Sequence, residues 1–88
     1  MSNQQEAFLD QLAPGTRAVV IELQGGRGIA SRLAGMGISL GCQIEVLQNP
    51  GSGPLLVLVR DTRIALGRGE ALKILVRKLE RGQPDAAE

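Results

Sequence analysis

Leu12-Ala-Pro-Gly-Thr-Arg-Ala-Val-Val-Ile-Glu-Leu23 and its partial echo, Ile38-Ser-Leu-Gly-Cys-Gln-Ile-Glu-Val-Leu-Gln48, decide the fold. In each, a glycine (Gly15 or Gly41) follows a short apolar lead and precedes an alternating run. Ala18 and Val20 stand at the same offsets from the first glycine as Ile44 and Val46 from the second. A corner glycine takes a positive φ at no steric cost, and period-two alternation is the mark of a half-buried strand. We read the echo as one turn used twice, not as a duplicated domain.

Working outward, the β-branched runs Thr16–Leu23, Cys42–Gln48, Leu55–Arg60, Thr62–Leu66 and Lys73–Val76 predict five strands broken by Gly and Pro. Their spacing of about ten residues suits a small all-β barrel or sandwich. Between the first two strands, Gly28–Met36 sets Ile29, Leu33 and Met36 on one face of a short helix, and Gly37 ends it. Asp61-Thr62 reads as a two-residue hairpin turn and Asn49–Pro54 as a looser connection. Residues 6–10 read as one amphipathic turn that lays Phe8 and Leu9 over a barrel end. The division expected is a flexible segment over 1–8, a folded domain over 9–79 and a flexible tail over 80–88.

A chain of 88 residues is one small domain. A domain of that size buries only roughly 60–65% of its unfolded surface, which leaves little room for a deep substrate cavity. With no His and a single Cys, the chain has no Ser-His-Asp triad, no Cys-His pair, no intrachain disulfide and no Cys-rich zinc site. No apolar run approaches the ~20 residues of a spanning helix. The N-terminus MSNQQEAF lacks the basic and apolar blocks of a signal peptide. These absences predict a cytoplasmic protein that is not an enzyme and needs no cofactor or resident metal.

Three features bear on chemistry. Gly25-Gly-Arg-Gly28 opens the helix but fits no phosphate-binding glycine pattern, so it reads as a hinge between strand and helix. Cys42 aligns with Ile44 and Val46 and reads as a small buried hydrophobe. Charge is unevenly spread: residues 1–59 hold three Arg against four acids, whereas residues 60–81 hold seven cations against three acids. Alternation turns Arg63, Lys73 and Arg77 away from the apolar face, onto an outer cationic surface. The run at Leu55–Val59 is apolar on both faces, with Leu56 and Leu58 on the second. A helix, a terminus or a partner must cover that second face.

The order of these turns and strands resembles the ferrous iron transport protein A (FeoA) family. The resemblance rests on Leu12-Ala-Pro-Gly15, Arg32-Leu-Ala-Gly-Met-Gly-Ile38, Gly41, Gly53-Pro54, Ile64-Ala-Leu66 and Ala71 with Ile74 and Val76. It spans about residues 9–77. Leu40 stands where the family often has Pro, and Asp61 where Gly is usual. The resemblance implies a mainly β fold, a small SH3-like β-barrel of about five strands with a helix inserted between the first two. It also implies an accessory protein that regulates a membrane ferrous iron permease carrying a GTP-binding domain.

The leading expectation is therefore a regulatory module docking on the cytoplasmic part of that permease. Its expected contacts are Arg27, Ile29, Arg32, Leu33 and Met36 of the hinge and helix, together with Arg63, Lys73 and Arg77. The alternative is a small nucleic-acid-binding β-barrel. One Phe, no Tyr and no Trp count against base stacking, so no nucleic acid is expected. The same lack of rings argues against a groove for proline-rich peptides. Homo-oligomerisation is left open.

Overall fold

The computed structural model describes residues 5–79. Six strands form one antiparallel sheet: β1 (Glu6–Phe8), β2 (Arg17–Leu23), β3 (Gln43–Gln48), β4 (Leu55–Val59), β5 (Thr62–Leu66) and β6 (Ile74–Lys78). Helix α1 (Gly26–Gly35) joins β2 to β3, and a single helical turn, α2 (Arg68–Ala71), joins β5 to β6. The strand order is β1-β6-β2-β3-β4-β5. Alternate residues of every long strand point into one core: Ala18 and Val20, Ile44 and Val46, Leu55, Val57 and Val59, Ile74 and Val76 are all at most 2% exposed. Leu33 of α1 and Ile38 after it close one side, and Leu9 and Leu12 another.

The echo in the sequence is a local two-fold axis in space. Ala18 of β2 faces Ile44 of β3 across the sheet. The Gly15 N–H donates to the Val46 carbonyl at 2.7 Å, and the Gly41 N–H donates to the Val20 carbonyl at 2.8 Å. Each corner thus caps the far end of the other's strand. Gly15 and Gly41 have φ of 92° and 87°. Thr16 N–H bonds the Ala13 carbonyl and Cys42 N–H the Ser39 carbonyl, both at 3.1 Å. This is the arrangement of a type II turn, which requires glycine at its third position. Each strand then carries an irregularity at the same offset, after Val20 and after Val46. Strand order is likewise palindromic about the β2–β3 pair, with β6 matching β4 and β1 matching β5. Chain order is not: β4 follows β3 directly, whereas β6 arrives last. The symmetry belongs to the turns and not to a repeated unit.

Several sequence expectations need correction. The described residues hold six strands where about five were expected, because Glu6–Phe8 pairs with β6 (Glu6 with Arg77, Phe8 with Leu75) in place of the amphipathic turn expected over 6–10. Strand β6 needs a partner on the side away from β2, since unpaired buried backbone groups are costly. Leu9 is fully buried in the 3-10 turn that follows. Residues 6–8 of the segment expected to be flexible are therefore sheet, while 1–4 and 80–88 lie outside the described residues. The hairpin turn is Arg60-Asp61, one residue earlier than expected, with φ of 52° and 67°. Two positive φ values define the turn whose twist matches a β-hairpin.

The Asn49–Pro54 connection, expected to be loose, is pinned. The Asn49 amide nitrogen donates to the carbonyls of Asp10 (2.9 Å) and Leu12 (2.8 Å). Its oxygen accepts from Gly51 N–H (3.2 Å) and from Arg68 Nη2 (2.7 Å). Arg68 also donates through Nε to the Gly53 carbonyl and through Nη1 to the Asp10 carbonyl. One amide and one guanidinium so hold together the 3-10 turn, the long loop and α2.

Candidate functional site

Helix α1 begins at a hinge made by two glycines, Gly25 and Gly26, with φ of 102° and 84°. Gly25 is needed for space as well as for conformation. A Cβ there would lie 2.9 Å from both Ile29 Cγ1 and Lys73 Cδ. The helix thus sits close on the chain just before β6, where Gln24 N–H also bonds the Lys73 carbonyl at 2.8 Å. Its far end stops as expected: Met36 and Gly37 fold back on the last turn, and Ile38 N–H bonds the Leu33 carbonyl.

The helix sends Leu33 into the core, and Ile29 and Met36 pack against that core half-buried. Leu33, one of the expected contact residues, is fully buried and lies in the core. Another face of the helix lies over β2. There Ala30 and Ala34, with Ile21, Leu23, Ser39, Leu40 and the stem of Glu22, line an open depression of about 440 Å³. Arg27 lies three residues before Ala30, which places it on the same helix stripe. Leu40, at the tip of the second corner, is 63% exposed, the highest value among the large hydrophobic residues described. Small alanines on the helix and a projecting leucine at the rim make a surface that can take an apolar side chain from outside.

The expected cations are not assembled into one face. Arg63 on β5 faces Leu58 of β4, and Arg77 on β6 lies between Glu6 and Val19. Three strands, β2, β3 and β4, separate them. Lys73 is half-buried, and its stem belongs to the helix hinge. Arg32 is occupied: its Nη1 lies 3.3 Å from Glu70 Oε2, tying α1 to α2. With Arg32 more than half exposed, that ion pair is worth at most about 1 kcal/mol. Arg27, Arg63 and Arg77 are exposed. The second face of β4 is half-covered: Leu58 shares a shallow depression of about 210 Å³ with Arg17, Gln43, Glu45, Arg60 and Asp61.

Sequence reasoning found the helix and its hinge but missed the depression. Ala30 and Ala34 carry no periodic signal, and Ile21 and Leu23 read only as ordinary strand residues. The one usable sign was Leu40, an apolar residue at a turn tip. Cys42 is half-buried against the core, close to its expected role. Among the described residues no group of three or more His, Cys, Asp or Glu is placed to hold a metal ion. Among the same residues no helix is long and apolar enough to cross a membrane.

Comparison with known proteins matches residues 8–78 to the FeoA domain model. A curated relative from Methanocaldococcus jannaschii, described as an Fe(2+) transport protein A, is 37% identical over 68 residues, covering 77% of this chain and 82% of the relative. A crystal structure of an iron uptake regulatory protein, FeoA, superposes with a TM-score of 0.81 at 34% identity, covering 84% of this chain and 99% of that one. The FeoA of Stenotrophomonas maltophilia, solved with zinc and described as an SH3 domain protein, gives a TM-score of 0.67 at 37% identity, covering 77% and 86%.

Proposed function

The chain belongs to the FeoA domain family, and from that premise we propose that it is a non-enzymatic accessory protein of ferrous iron transport. In this reading it works in the cytoplasm, docking on the GTP-binding part of a membrane ferrous iron permease. The observation that carries the docking is the apolar depression beside α1, with Leu40 at its rim. An open apolar surface edged by charge marks a site of association on a small soluble domain. Arg27 at one end of the helix stripe supplies the charged edge. In the expected contact set, Ile29 and Met36 act by seating the helix, and Leu33 acts only as its core anchor.

The test is a binding titration against the isolated GTP-binding domain of the permease. Leu40→Ser combined with Ala34→Asp should weaken binding at least tenfold while leaving the melting curve in place, since both residues are exposed. Arg63→Glu combined with Arg77→Glu should act mainly on the association rate, and less as salt rises. Full binding by the first variant with loss in the second would move the docking surface to the strands. A salt-sensitive shift with oligonucleotides in place of the permease domain would favour the nucleic-acid alternative.

A further inference from the structure

We propose that β5 is a pairing edge for a second copy of this chain, joining two sheets antiparallel about a two-fold axis through Ile64. The β4–β5 hairpin fixes which backbone groups of β5 are left free. Its two-residue turn is closed by the Val59–Thr62 pair, and the register continues through Leu58–Arg63, Val57–Ile64, Leu56–Ala65 and Leu55–Leu66. In an antiparallel ladder, pairs alternate between exchanging both hydrogen bonds and exchanging none, and the pair closing a two-residue turn exchanges both. Thr62, Ile64 and Leu66 therefore bond to β4, while the N–H and C=O of Arg63 and Ala65 point away from it. Strand β5 is the last in the sheet, and no backbone bond from Arg63 or Ala65 to another described residue compensates.

The five residues of β5 hold no proline and no irregularity against β4, so that among proline, bulge and charge, the usual means of blunting an edge, only a charge, Arg63, is present. The opposite edge, β1, is only three residues long. For a second copy to satisfy both Arg63 and Ala65, the register is fixed. Arg63 of one copy must face Ala65 of the other, with the two Ile64 residues meeting on the axis. That arrangement exchanges four backbone hydrogen bonds and never opposes two arginines directly. It also covers Ile64, which is half-buried in the single chain. Shifting the register by two residues sets Arg63 against Arg63 in one direction and drops it from the ladder in the other.

Arg63 also keeps the association weak. The two guanidinium groups lie on the same outer face as diagonal neighbours, about 7–8 Å apart at the backbone. An edge this short also covers much less than the roughly 1,200 Å² of stable complexes, so the dimer should form only near about 0.1–1 mM. Added salt should tighten it, since the screening length falls from about 10 Å at 0.1 M to about 3 Å at 1 M. Docking of charged partners would show the opposite dependence. This inference stands apart from the permease reading: the β5 edge shares Arg63 with the expected contacts but no residue with the apolar depression that carries the docking.

The experiment follows amide chemical shifts and sedimentation of the full chain alone, at increasing concentration up to about 1 mM, in low and high salt. Shifts confined to residues 62–66, tightening several-fold with salt or on Arg63→Ala, support the pairing. Ala65→Pro removes an outward N–H without touching the β4 ladder and should abolish them. Should Ala65→Pro fail to fold, Ala65→Arg, which sets like charges directly opposite, decides in its place. A chain that stays monomeric throughout overturns the proposal, as do shifts centred on Leu40 or shifts that survive both Ala65 variants.

Discussion

The corners at Leu12–Gly15 and Ile38–Gly41 have the same turn geometry and bonds but opposite surroundings. Pro14 and Leu40 occupy equivalent positions, each just before the corner glycine. Around the first corner, Asn49 and Arg68 take up the carbonyls of Asp10 and Leu12. No side chain among the described residues makes a hydrogen bond to the second corner, where Leu40 stands out over the apolar depression. Identical backbone chemistry has been put to two uses. One corner is built into the fold and stiffened by proline, and the other is left as a surface. A turn that caps the core from both sides needs only one of its copies clamped, because the β2–β3 hydrogen bonds carry the geometry to the other.

The largest effects should be those the corners share. Leu12 and Ile38 are equivalent and both buried, so Leu12→Ala and Ile38→Ala should each cost about 2–4 kcal/mol by denaturant unfolding. Costs that differ by more than the usual spread would break the equivalence. Next, Asn49→Ala strands the Leu12 carbonyl, leaves the Asp10 carbonyl with the Arg68 Nη1 contact alone and removes an acceptor from Arg68, a loss of about 1–3 kcal/mol. Hydrogen exchange should then speed up at Gly15 more than at Gly41. Equal acceleration at both would mean that the clamp serves the whole sheet. Gly15→Ala and Gly41→Ala should cost alike, about 1–2 kcal/mol each. A Cβ at either meets nothing within 4 Å, so the cost is conformational alone. The smallest effect should be a gain. Leu40→Pro copies the first corner and should stabilise the fold by about 0.4–1 kcal/mol, read as a raised melting temperature, through a less free unfolded chain.

The parts of this fold that repeat a local rule were legible in the sequence. Alternation in Ala18–Val20 and Ile44–Val46 and the glycine before each run place two strands and both corners. Ile29, Leu33 and Met36 place the buried side of the helix. What escaped depends on residues far apart in the chain. Glu6–Phe8 is too short to show a period, and it becomes a strand only because the edge of β6 lies beside it. Asn49 and Arg68 read as loop polar residues until folding brings them to 2.7 Å. The separation of Arg63 from Arg77 in the sheet escaped for the same reason. Alternation gives the side of a strand correctly, but it does not give the order of strands in the sheet.

Strand β6 lies between β1 and β2, both of which are made long before it. As the chain leaves the ribosome, β3, β4 and β5 can close through connections of a few residues, yet β2 pairs Ala18 with Lys78 across sixty positions. Closing loops of that length, and the still longer one that brings Glu6 to Arg77, is entropically the slowest step in the molecule. Assembly therefore runs from the middle of the sheet outward, with a three-stranded meander waiting for the final strand to seat. Until then Val20 and Ala18 have no neighbour on one flank, and a nascent chain halted before residue 74 should be the species that a chaperone holds or a protease cuts.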